Sequence, residues 1–181
     1  MVDIALFEFV PSTVAAIGVI IAATYYILNL KSSKRLMETT LETRQAQLFM
    51  QVFQRFNEPD FFDKYTRFLA WKWKDYDDYF NKYGPKVDPE SWYSEGSVAA
   101  FFNGVGLLLY MNLLDIKLIH GLLFIHVKMF WDKIRPVSLE MRERLSFPQI
   151  DEWVEYLYEE LLKYDKTAPP SPGAKLHKGK V

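Results

Sequence analysis

The chain has no cysteine. Disulfides and thiolate metal sites are therefore excluded, and nothing in the composition argues for an oxidising compartment. It also lacks any alternation of apolar and polar residues long enough to specify a half-buried strand. Its 8 glycines form no phosphate-cradling loop, and no nucleophile elbow or redox motif accompanies them. Basic charge is scarce where a nucleic-acid binder needs it. Between Leu36 and Asp165 acidic side chains outnumber basic ones, which leaves no basic stripe for phosphates and excludes nucleic acid as the expected partner. The sharpest shortage is local, because no charged residue occurs between Glu8 and Lys31.

That uncharged run, residues 9–30, has the length of one helical bilayer crossing at about 1.5 Å rise per residue. Val14, Ile17, Ile20, Ile21, Ile27 and Leu28 are its expected anchor residues. Tyr25 and Tyr26 suit the headgroup region near one end, and Pro11 suits a first helical turn. A cleaved signal peptide would need a basic leader, a shorter apolar core and a small-residue cleavage site, whereas Asp3 and Glu8 precede this run. Lys31, Lys34 and Arg35 follow it and read as residues at the membrane surface on the cytoplasmic side. The expectation is a single-pass protein of the cell membrane, with a short external N-terminus over 1–8 and a cytoplasmic body.

Aromatic residues are plentiful, at 17% of the chain, and they recur at helical spacing. Leu41, Leu48, Phe49, Val52, Phe53 and Phe56 form an amphipathic stripe over a juxtamembrane helix, 31–57. Asn57 to Asp60, with Pro59 in its midst, stops that helix and starts another that the pattern carries as far as Tyr83, before Gly84 and Pro85. Asp88 before Pro89 and Asp115 before Ile116 read as N-caps of two further helices, the second expected to kink or break at Pro136. A last helix runs from Asp151 to about Tyr164. The expected class is all-α: one transmembrane helix, then a cytoplasmic bundle of about four to five helices over 58–165. A basic, Pro-rich tail over 166–181 has too little apolar surface to fold and is expected to be disordered.

The second charge-free stretch, Gly96 to Leu114, is long enough for a further span, but Ser97, Asn103 and Asn112 dilute it. A helix apolar on all sides within a bundle belongs in its middle, so this stretch is read as the central core helix, with Gly104 and Gly106 permitting close approach.

Candidates for chemistry are few. Asp75, Asp77 and Asp78 are the ligand type of a hard cation, and Asp75 with Asp78 shares a helical face, but Asp77 points elsewhere and Lys74 and Lys82 flank Asp78 as ordinary partners. His120 and His126 lie about 120° apart on a helix, which is not the spacing of a helical zinc pair. Trp71 and Trp73 beside Lys72 and Lys74 read as packing residues, and Glu140 to Arg144 reads as exposed charge pairs. No catalytic residue, cofactor or metal is assigned.

Several motifs occur in order: Gln47 to Gln51 (QLFMQ), Arg55 to Pro59 (RFNEP), Trp73 to Asp78 (WKDYDD), Tyr83 to Pro85, and Phe147 to Gln149 with Trp153 to Tyr158. Together they resemble a family of small, uncharacterised prokaryotic proteins, often archaeal, that carry a domain of unknown function. The resemblance implies membrane attachment and a helical body, and no chemistry. The functional expectation is an interaction or scaffold module whose partners are the lipid bilayer and another protein or a second copy. The alternative is a ligand-binding or enzymatic bundle with an aromatic pocket.

Overall fold

A computed structural model describes residues 4–169, with the side chains of 4–18 and of residue 20 outside the description. Among the described residues there are six helices and no strand: α1 (Ile4–Phe56), α2 (Pro59–Ala70), α3 (Tyr76–Tyr83), α4 (Pro89–Tyr110), α5 (Ile116–Leu145) and α6 (Glu152–Thr167). The chain divides into two units, Met1–Arg44 and Gln45–Val181.

In the first unit the chain is helical, and every described side chain up to Arg44 is exposed. Thr39, Thr40 and Thr43 return their hydroxyls to the carbonyls of Arg35, Leu36 and Thr39, one turn back.

The expected membrane crossing over 9–30 does not hold, because among the described residues no helix is long and apolar enough to cross a membrane. The described part of that run carries the polar Thr24, Tyr25, Tyr26 and Asn29, and the helix continues directly into Lys31, Lys34, Arg35 and Glu38. Each such charge at the centre of a span opposes insertion by about 3 kcal/mol. Ile21, Ile27 and Leu28 of the expected anchor are exposed on α1, while the side chains of Val14, Ile17 and Ile20 lie outside the description. The single-pass location at the cell membrane, with its outside N-terminus and cytoplasmic body, falls with the span. Lys31, Lys34 and Arg35 stand on α1 beside Glu38, around a shallow hollow that only this helix lines. Residues 170–181, most of the tail, lie outside the described residues.

The second unit is built on rings. Phe56, at the end of α1, packs against Phe61 and Tyr65 of α2, Phe101 and Phe102 of α4, and His126 of α5. Phe102 touches Phe130 in turn, and Phe68 meets Phe130 from α2. The bulk of the inter-helix packing joins α4 and α5 to α6, with α2 across α4.

α4 is a core helix, burying Val98, Ala99, Phe102, Val105 and Gly106. Gly106 marks its crossing with α6, since a Cβ there would fall 2.0 Å from the Trp153 carbonyl oxygen. Gly104 has open space instead, against the expectation of close approach.

Two helix boundaries differ from the sequence reading. The helix expected to run unbroken to Tyr83 stops at Ala70 and restarts at Tyr76. Rings drive the break, with Trp71 stacked on Tyr83 at 4.2 Å and Trp73 edge-on to Tyr79 at 5.1 Å. The carbonyls freed at the break are taken by amines: Lys133 Nζ donates to Leu69 O at 3.0 Å and Trp71 O at 2.7 Å, and Lys82 Nζ donates to Lys72 O at 3.2 Å. Conversely, α5 continues through Pro136. A mid-helix proline costs about 3 kcal/mol, and burial of Trp131, Ile134 and Val137 on both sides of it offsets that cost.

Candidate functional site

The residues singled out from sequence are brought into structural roles. Asp75 caps α3 by accepting from Asp78 N at 2.9 Å. Asp78 accepts from Lys74 N and pairs with Lys82 at 2.8 Å, and the Lys82 hydrogen bond holds its carboxyl below the ordinary range. Asp77 points to Arg144, 2.6 Å away, and that hydrogen bond lowers it likewise. The three carboxylates thus serve three separate partners, and among the described residues no group of three or more His, Asp or Glu could hold a metal ion.

A test follows from the cap. Asp75→Ala should cost about 1 kcal/mol, whereas Asp75→Asn, an equally good cap, should cost almost nothing. Millimolar Mg²⁺ or Ca²⁺ should leave the melting temperature of the parent and both variants unchanged. A metal-induced rise in the parent, lost in both variants, would make the cluster a metal site.

The two histidines are apart. His120 Nε2 lies 2.8 Å from Asp165, with its ring stacked on Phe124, and His126 Nδ1 lies 3.3 Å from the Tyr65 hydroxyl among the rings of Phe56 and Phe62. Burial lowers His126, favouring its neutral form. Lys133 sits 4.6 Å over the Trp73 ring, and burial lowers it too. Arg144 pairs with Glu140 and lies 4.2 Å over Tyr76. Arg142, read as one of an exposed set, is a strut instead: it donates from Nε to Ile150 O at 2.7 Å and from Nη1 to Glu155 at 2.6 Å.

A buried polar cluster escaped the sequence reading. Glu95 of α4 is only 7% exposed and accepts a hydrogen bond from the Tyr79 hydroxyl at 3.3 Å. Burial first, and then the Asp151 carboxylate, push Glu95 up to about 8, against a smaller opposing effect of the Tyr79 hydrogen bond. Asp151 itself sits ahead of α6 at φ 54°, the left-handed region, and accepts from Asn103 Nδ2 at 2.9 Å and Ser138 Oγ at 2.6 Å. Asn103 completes the junction by accepting from Val154 N at 3.3 Å. The available signal was modest: a single Glu at the head of a charge-free run that holds two asparagines, Asn103 and Asn112, of which only Asn103 joins the cluster.

Among the described residues, two of the open hollows on the body bear on function. One, of about 390 Å³, is lined by Arg67, Trp71, Asp88 and Ser94 among others, with Asp88 already committed as the α4 cap through Ser91 N. The other, of about 370 Å³, is a groove between the end of α1 and the middle of α4. Leu48 and Val52 line one wall, Phe101 and Leu108 the other, with Val105 buried between them. Ala100 and Gly104 leave the α4 wall low. Gln51 and Arg55 are its polar members. Neither hollow is lined by Glu95, Tyr79 or Asp151.

No protein-family model, curated protein or solved structure matches this chain.

Proposed function

We propose that the helical body from Gln45 onward is a protein-interaction module that seats an apolar helix of a partner in the groove between α1 and α4. The observation that carries this reading is the groove itself: its walls are mainly aliphatic and aromatic, with Gln51 and Arg55 as polar members, and the small Ala100 and Gly104 keep one wall low. Helix-in-groove recognition uses this chemistry, with apolar anchors at i, i+3, i+4 and i+7 entering a trough whose small residues admit close approach. Exposed apolar side chains on α5, Leu122, Ile125 and Met129, follow each other at the same helical spacing and extend the apolar character of the body.

The competing reading, a ligand-binding or enzymatic bundle with an aromatic pocket, needs a hollow that reaches ionisable groups. The hollow of about 390 Å³ does reach Arg67, Asp88 and Glu90, but Asp88 is taken up as the α4 cap, and the most perturbed carboxylate, Glu95, lines neither this hollow nor the groove. Native mass spectrometry of the whole chain, purified without added ligands, separates the two. The interaction reading expects no small molecule or metal held at stoichiometry. A retained one would contradict it in favour of a binding pocket.

A further inference from the structure

Glu95 has almost no solvent and a poor set of partners. One hydroxyl, Tyr79, donates to it at 3.3 Å. That tyrosine is itself fully buried, wedged among Trp73, Phe80, Tyr83 and Trp92, so it is fixed by α3 rather than drawn to the carboxyl. The other acidic group acting on Glu95 is Asp151, at the head of α6. From α5 the polar groups turned toward this junction are Ser138, which donates to Asp151, and Arg142, whose Nε and Nη1 are committed to Ile150 O and Glu155 while its buried Nη2 has no hydrogen-bond partner. No lysine, arginine or histidine is among the groups acting on Glu95.

An ionised Glu95 would therefore be a desolvated anion beside a second anion, with a single hydrogen bond. A buried charge in that position costs several kcal/mol, so the closed arrangement keeps the acid neutral. Three elements meet at this group. Tyr79 ties α3 to α4, and Asp151, held by Asn103 and Ser138, ties the 146–151 elbow to α4 and α5.

We propose that Glu95, Tyr79 and Asp151 form a proton-dependent latch, in which protonated Glu95 keeps α3 and the 146–151 elbow seated on α4 and ionisation of Glu95 accompanies their joint release. The balance is simple: on opening, the Glu95 carboxylic acid meets water, gives its proton to solvent and becomes a carboxylate. The latch is independent of the groove and of the interaction reading.

The direction with pH follows from linkage. Closed, Glu95 holds its proton to about pH 8, whereas exposed it has the ordinary carboxyl value of 4.5. Between those limits the open state binds fewer protons, so rising pH favours opening and the effect levels off above the upper limit. Each pH unit within the window multiplies the opening constant about tenfold.

Amide hydrogen exchange of the whole chain, corrected for the intrinsic pH dependence of exchange, reads this opening directly. Amides of 79–83 and of 147–154 should open about tenfold more per unit between about pH 5 and pH 7, while amides of α5 from Val127 to Ile134 stay closed. In Glu95→Gln the dependence should be flat. In Asp151→Asn, which removes the neighbouring charge and keeps the side-chain shape, the rise should level off at lower pH. A flat profile in the parent, an unchanged slope in Glu95→Gln, or the same slope at every amide of α4 to α6 would each overturn the latch.

Discussion

Replacing Phe56 by alanine should remove about 3 to 5 kcal/mol of stability, a large part of the 5 to 15 kcal/mol that holds an ordinary domain folded. The ring has less than a fiftieth of its surface exposed and touches six others, from Phe61, Phe62, Tyr65, Phe101, Phe102 and His126, at centroid distances of 4.7 to 6.1 Å. The six rings around it are stiff and each is packed on further groups, so the cavity term adds to the lost transfer free energy. Urea titration of the parent and the variant measures the difference. Phe101→Ala, at a half-exposed position on the groove wall, should cost clearly less. Equal costs would mean that the body is not organised on Phe56.

The second large effect is at Gly106. Alanine is intrinsically the better helix residue by about 1 kcal/mol, so a substitution in mid-helix would ordinarily stabilise. Here its Cβ would stand 2.0 Å from the Trp153 carbonyl oxygen and 2.7 Å from the carbonyl carbon, backbone atoms that cannot rotate away. α4 and α6 must separate, and overpacking of this kind costs about 1 to 3 kcal/mol or more. Gly106→Ala should therefore lower the melting temperature markedly, and Gly106→Val should prevent folding. Gly104→Ala meets nothing within 4 Å and should raise stability by up to about 1 kcal/mol. A Gly106→Ala protein as stable as the parent would remove the close α4–α6 crossing from the account.

These two glycines show where sequence reasoning reaches its limit. Both sit in one apolar stretch, and periodicity treats them alike, but which of them faces α6 depends on a helix some 50 residues further along the chain. Local signals were legible. Asp88 and Asp115 act as N-caps, and Pro59 and Pro89 open their helices. Signals that depend on distant partners were not. The break at Trp71 rests on Tyr83 and Lys133, and the passage through Pro136 rests on the burial of Trp131 and Val137.

Residues 9–30 illustrate a different failure. Absence of charge was read as membrane length, with the polar Thr24 and Asn29 taken inside the span, Tyr25 and Tyr26 placed at the headgroup level, and Lys31, Lys34 and Arg35 counted as its flank. The buried cluster was missed for the converse reason. Glu95 stands one residue before the charge-free run at Gly96, so it looked like the edge of an apolar segment when the fold places it inside.

The claim that the groove is a docking surface is tested most directly by a photoreactive residue placed at Ala100 and activated in the cells that make the protein. The account predicts a discrete polypeptide adduct at Ala100, no adduct from the same group placed at exposed Glu159 on α6, and loss of the Ala100 adduct when Gly104→Trp fills the trough. No adduct at Ala100, the same adducts at Ala100 and Glu159, or an adduct that survives Gly104→Trp would contradict it.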